Sequence, residues 1–253
     1  MSIGKHSSSK SNMDKTIITF RIVSLVIIII CLYFIWIWYK ENKHNNIILN
    51  NLLSNVDFDN KVITSDNKEA IDFSNLININ TDTVGWLIVN NTDINYSVVQ
   101  AKDNSYYLTH SFDNSYNSAG WIFADYRNKL DGSDKNIIIY GHNRRDGSMF
   151  SSLKNILNED WYLNKENHII TFYTPSETLR FQVFSIYKIK SSNYDTTTHF
   201  YSDDEYKIFL DKIKNYSIYN FNLEVDSNDQ ILTLSTCANN TDYRVVLHAK
   251  KIS

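Results

Sequence analysis

The chain is poor in cysteine, with two in 253 residues, Cys31 and Cys237. Cys31 lies inside an uncharged apolar run, out of reach of Cys237, so no internal disulfide framework is available. An excess of one charge is also missing. Against 28 Asp and Glu stand 25 Lys and Arg, a net charge of −3. That balance gives no electrostatic footprint for nucleic acid or another polyanion. No Cys/His ligand cluster occurs and the acidic residues of the C-terminal part are scattered, so neither zinc nor calcium is indicated. Proline occurs once, as Pro175, between two strand-like runs where a turn needs a fixed φ. There is no internal repeat, and no alternation of strand and helix that would make a doubly wound sheet.

What the sequence does have begins with residues 22–39, "IVSLVIIIICLYFIWIWY", which carry no charge. At about 1.5 Å per residue this stretch nearly spans a hydrocarbon core of roughly 30 Å. Thr16–Phe20 can extend it. Trp36, Trp38 and Tyr39 close it as interfacial aromatics do. Lys5, Lys10, Lys15 and Arg21 precede it, while Lys40, Glu41 and Lys43 follow. The positive-inside rule puts the N-terminus in the cytoplasm and the remainder outside, on a single-pass anchor. A cleaved signal peptide would have a shorter apolar region and a small-residue cleavage site. Here the run ends in "WIWYKENKH", so an uncleaved anchor is expected. The organisation read from the chain is a polar tail over 1–15, the anchor over 16–39, a helical segment over 40–80 and a folded domain over 81–253.

Within that domain the periodicity is mostly that of strands. Residues 84–89 and 94–100 read as a hairpin, and 104–112 as a short helix or turn. Strands are expected at 120–125 and 136–142, and helical spacing at 148–157. Residues 168–174 and 179–189 flank the Pro175 turn as the clearest hairpin. A helix is expected over 202–217, capped by Ser202 or Asp203, with Tyr206, Phe209, Leu210 and Ile213 on one face. Two more strands, 229–237 and 242–252, end the chain. Seven or eight short strands in one domain indicate a mostly β fold, a closed barrel or a sandwich.

A lone thiol outside the membrane is either an incidental small hydrophobe or a reactive nucleophile. To react, Cys237 needs a depressed pKa or a base. His142 follows the apolar strand "NIIIY" and opens a polar loop, so it can reach a cleft from a rigid base. His248 shares a strand face with Arg244 and is a secondary candidate. His44, His110, His168 and His199 have ordinary loop or strand settings. Arg244, in "YRVVLHA", is either a solvent-facing strand residue or a fixed guanidinium beside the thiol.

The order His after a strand, Cys at a late strand end, Arg in the next strand resembles that of the sortases, the membrane-anchored cysteine transpeptidases of Gram-positive bacteria. "TLSTC" (233–237) matches their TLxTC signature, and "YRVVLHAK" their arginine strand. "DNSYYLTHSFDNSYNSAGWIFADYRN" (103–128) and "IIIYGHNRRDGSMFSSL" (137–153) are similar to class B sortases in particular. The resemblance implies a closed sortase barrel of about eight strands, with N-terminal helices and a helix before the penultimate strand. By matching position it implies Cys237 as nucleophile, His142 as general acid and base, and Arg244 as oxyanion or substrate clamp. It implies a substrate groove at Asn104, Leu108, Ser235 and Thr236. The 191–202 loop should form a groove wall, with Tyr194, Thr196 and Tyr201 as its candidates. The partners implied are surface proteins bearing an NPxTG- or NPQTN-like sorting signal and an amine of a peptidoglycan precursor, with no cofactor. A membrane-tethered cysteine hydrolase and a pilin-type polymerase are the alternatives. The short polar link "CANNTDYR" leaves the spacing of Cys237 and Arg244 to be settled by structure.

Overall fold

A helix persists where nothing in the sequence breaks it, and residues 7–54 contain neither glycine nor proline. In the computed structural model, which describes residues 7–58, 62–63, 69–237 and 242–253, with only the backbone of 7–14, 62–63, 69 and 237, this stretch is one helix, α1 (Ser7–Ser54). It runs unbroken from within the expected tail through the expected anchor into the expected helical segment. The chain divides into two compact units, Met1–His44 and Asn45–Ser253. Among the described residues α1 is the one helix long and apolar enough to cross a membrane.

In the second unit a small ladder, β1 (Val62–Ile63) with β2 (Glu69–Ala70), precedes α2 (Ser74–Ile79). The barrel strands follow: β3 (Thr83–Val89), β4 (Asn95–Val99), β5 (Phe123–Ala124) and β6 (Asn136–His142). After the short helix α3 (Glu159–Leu163) come β7 (Ile169–Tyr173) and β8 (Thr178–Lys190). Helix α4 (Asp203–Tyr216) then leads to β9 (Ile231–Cys237) and β10 (Tyr243–Lys251). Eight strands close in the order β10-β8-β7-β3-β4-β5-β6-β9, and β9 pairs with β10. The expected barrel is therefore the one observed, with α4 before the penultimate strand.

Closure removes sheet edges and turns one face of each strand to a common interior. Leu232 and Leu234 of β9 and Val245, Leu247 and Ala249 of β10 join the core with Trp86, Trp121, Phe172 and Phe181. The other face of β8–β10 is covered by α4, through Tyr206, Phe209, Leu210 and Ile213 against Phe184, Tyr187 and Val246. Ser202 caps α4, its hydroxyl accepting from the Glu205 N–H at 3.2 Å. The Glu205 carboxylate in turn accepts from the Tyr201 N–H at 2.8 Å. Two parallel pairs interrupt the antiparallel barrel, β4 with β5 and β6 with β9. The second pair sets the site.

Candidate active site

Strand β6, between β5 and β9, is buried along its whole length. Its register against β9 makes Tyr140 the partner of Ser235, Gly141 of Thr236, and His142 of Cys237. Two residues 95 positions apart are thus brought side by side at the ends of neighbouring parallel strands. The side chain of Cys237 lies outside the described residues.

His142 is 4% exposed. Its Nε2 lies 2.7 Å from the Leu108 carbonyl. A carbonyl only accepts, so Nε2 carries the proton, and in the neutral ring Nδ1 keeps the lone pair. Burial pushes the His142 pKa down. The Leu108 hydrogen bond opposes this in part and the Arg144 charge adds to it, so the value falls below 6.5. Neutral imidazole is the resting form. The loop that supplies Leu108 can come this close because of Gly120. Its φ of +61° is left-handed, and a Cβ there would sit 2.9 Å from His142 Cδ2 and 2.4 Å from the Tyr107 carbonyl. The Gly120 carbonyl accepts from Asn45 Nδ2 at 3.3 Å.

Arg244 is half-buried, not a solvent-facing strand residue. Its Nη1 donates to the Thr236 carbonyl at 3.0 Å, one residue before Cys237. Its guanidinium carbon stands 5.2 Å from the centre of the Tyr194 ring, a cation–π contact. Among the described residues its Nε is buried without a hydrogen-bond partner. Thr236 also accepts the Val245 N–H on its hydroxyl at 2.9 Å, which locks β9 to β10 at this level.

The residues expected to form a groove fall into two groups. Leu108 and Tyr194 reach the site, one by its carbonyl and one by its ring. Ser235 and Thr236 are buried, with the Ser235 hydroxyl 3.4 Å from the Thr236 carbonyl. Asn104 is tied to the segment after β5, donating to Asp125 at 2.9 Å and accepting from the Tyr126 N–H at 3.0 Å. Thr196 gives its carbonyl to Arg127 Nη2 at 2.7 Å. Tyr201 is 88% exposed, packs edge-on to His199 and opens α4. Nothing among the described residues ties it to the others.

His248 does face the same side of β10 as Arg244, but that side runs beneath α4. It is 1% exposed, between Tyr187 OH and Thr233 Oγ1, each at 2.8 Å, and burial pushes its pKa down to about 3. It is a packed neutral histidine.

Sequence reasoning passed over Asp125 and Arg127. Asp125 is 0% exposed and accepts from Arg127 Nε at 2.8 Å and Nη2 at 2.6 Å, from Asn104, and from Tyr140 OH at 3.0 Å. Burial works against its charge, but the bonds from Arg127 and Asn104 outweigh that and hold its carboxyl below the usual range. The available signal was an Asp-x-Arg pair just past a buried strand. Beside it a cleft of about 340 Å³ is walled by Arg127, Tyr194, Thr196 and Lys212.

Residues 87–252 match the sortase domain family. The chain is 34% identical over 216 residues to sortase B of Listeria monocytogenes, covering 84% of this chain and 87% of that protein. Its fold is similar to the crystal structure of sortase B from Bacillus anthracis in complex with AAEK1. The TM-score is 0.75 and the identity 35%, over 85% of this chain and 99% of that one. It is also similar to a Staphylococcus aureus sortase B–substrate complex, with a TM-score of 0.68 and 38% identity over 72% of this chain and 84% of that one.

Proposed function

The chain belongs to the sortase family, and from that premise we propose that it is a class B transpeptidase acting through Cys237, His142 and Arg244. It cleaves an NPxTG- or NPQTN-like sorting signal after Thr and transfers the surface protein to an amine of a peptidoglycan precursor. The observation that carries this reading is the β6–β9 register, which pairs His142 with Cys237 while Arg244 binds the carbonyl next to Cys237. A substrate is bound in the S. aureus sortase B complex to which this fold is similar.

With neutral His142 at rest, its Nδ1 takes the thiol proton as Cys237 Sγ attacks the Thr carbonyl carbon. The oxyanion that forms is stabilised by the Arg244 guanidinium. On collapse the C–N bond breaks, and the leaving amine receives the proton from Nδ1. A thioacyl link to Cys237 remains. The incoming amine gives its proton to neutral His142 as it attacks. Expulsion of Cys237 returns that proton to sulfur. The Nε2–H stays on the Leu108 carbonyl throughout, so the ring keeps one orientation. Helix α1 anchors the enzyme with its N-terminus in the cytoplasm and its barrel outside, where signal and acceptor meet at the membrane surface.

The test is the full-length protein in detergent micelles with peptides carrying NPxTG, NPQTN and LPxTG cores, with and without an amine acceptor. Mass spectrometry is expected to find cleavage after Thr in an NP-type peptide and an acceptor-dependent transfer product, both missing from Cys237→Ala. Hydrolysis unaffected by amine would make the protein a tethered hydrolase. Turnover in Cys237→Ala would overturn the assignment.

A further inference from the structure

One carboxylate ties together two of the segments that build the site, the loop before Leu108 and strand β6. Asp125 follows β5 directly and takes side-chain bonds from Arg127, from Asn104 and from Tyr140. Asn104 lies four residues before Leu108, whose carbonyl orients His142, and Tyr140 lies two residues before His142 itself. The Arg127 N–H also bonds this carboxylate, at 3.0 Å. So many donors on one buried anion fix its position, and the two-point pairing with Arg127 fixes the plane of the guanidinium.

That plane has a consequence for the 191–202 loop. Nη2 of Arg127 carries two hydrogens; one meets Asp125 and the other meets the Thr196 carbonyl at 2.7 Å. The next carbonyl, Thr197, accepts from Asn136 Nδ2 at 2.8 Å, and Asp195 pairs with Lys212 at 2.8 Å. The loop is therefore stitched at three successive residues. Two residues before Thr196, Tyr194 carries the Arg244 guanidinium on its ring.

Building on the sortase reading, we propose that Arg127, held by Asp125, is a positioning residue that clamps the 191–202 loop and so keeps Tyr194 under Arg244. Arg127 does not touch the reacting atoms. It acts through Thr196 and Tyr194, on the placement of the oxyanion-binding group and on the wall of the cleft. Lysine cannot replace it, because one ammonium cannot serve both Asp125 oxygens and the Thr196 carbonyl.

The experiment compares wild type, Arg127→Lys, Arg244→Ala and the double variant, full-length in micelles. Peptide turnover is expected to fall about 10-fold to 100-fold in Arg127→Lys, mainly in kcat. In the Arg244→Ala background the same change is expected to add little, since both act on one element. Alkylation of Cys237 by iodoacetamide should persist in Arg127→Lys, which reports an intact fold. Hydrogen exchange of the 194–198 amides should quicken while that of β6 and β9 stays put. Wild-type kcat in Arg127→Lys, or an equal further loss on top of Arg244→Ala, overturns the clamp. Absent turnover in the wild type counts against the sortase reading instead. In that case loop exchange alone decides the clamp, and unaltered exchange refutes it.

Discussion

The hydrogen bond from His142 Nε2 to the Leu108 carbonyl has one possible direction, and it sets which ring nitrogen is left for chemistry. Because Nε2–H is given to Leu108, Nδ1 is the atom that moves protons in the proposed reaction. Because burial and the Arg144 charge depress its pKa, the base is neutral at rest. Acylation requires that neutral form, so kcat/KM should rise with pH through a limb centred below 6.5, the ordinary histidine value. Arg144→Gln removes a positive charge and should move that limb to higher pH. A limb above 6.5 in the wild type, or a downward move in Arg144→Gln, would contradict the assignment of His142. The three residues singled out from the sequence for chemistry were found by their order along strands. Asp125 and Arg127 were not. Their partner Thr196 is 69 residues from Arg127, and no local pattern announces a carbonyl that far away.

Elements were legible where burial is continuous. The apolar run 136–142 becomes β6 at the expected residues, since a strand buried on both faces needs apolar groups on both. The expected strand 120–125 shrinks to Phe123–Ala124. The Gly120 N–H goes to Asn117 and the Trp121 N–H to Tyr107, so the loop claims the backbone groups a ladder would have used. Helix α4 follows its apolar stripe, and two substitutions there should separate cap from core. Ser202→Ala should cost about 1 kcal/mol. Phe209→Ala, which empties the layer over His248 and Tyr206, should cost about 3–5 kcal/mol. Chemical denaturation measures both, and equal costs would mean that α4 does not seal the barrel face.

At the scale of the molecule the barrel does two things that no single element does. Its closure brings residues 142, 237 and 244 to one end from three strands, and its parallel β6–β9 pair sets their level. The sequence implied the barrel only through its resemblance to sortases; strand count alone left barrel and sandwich open. The apolar N-terminal segment was legible by length and charge, and the structure makes it part of one helix because nothing breaks it. The central claim is that Cys237 carries the acyl group. Its most direct test is the intact mass of the full-length protein mixed with an NP-type sorting peptide and no amine acceptor. The expected result is a transient adduct equal to the peptide through its Thr, mapped to Cys237 and discharged when an amine is added. Peptide cleavage without that adduct, or an adduct that persists in Cys237→Ala, would contradict it.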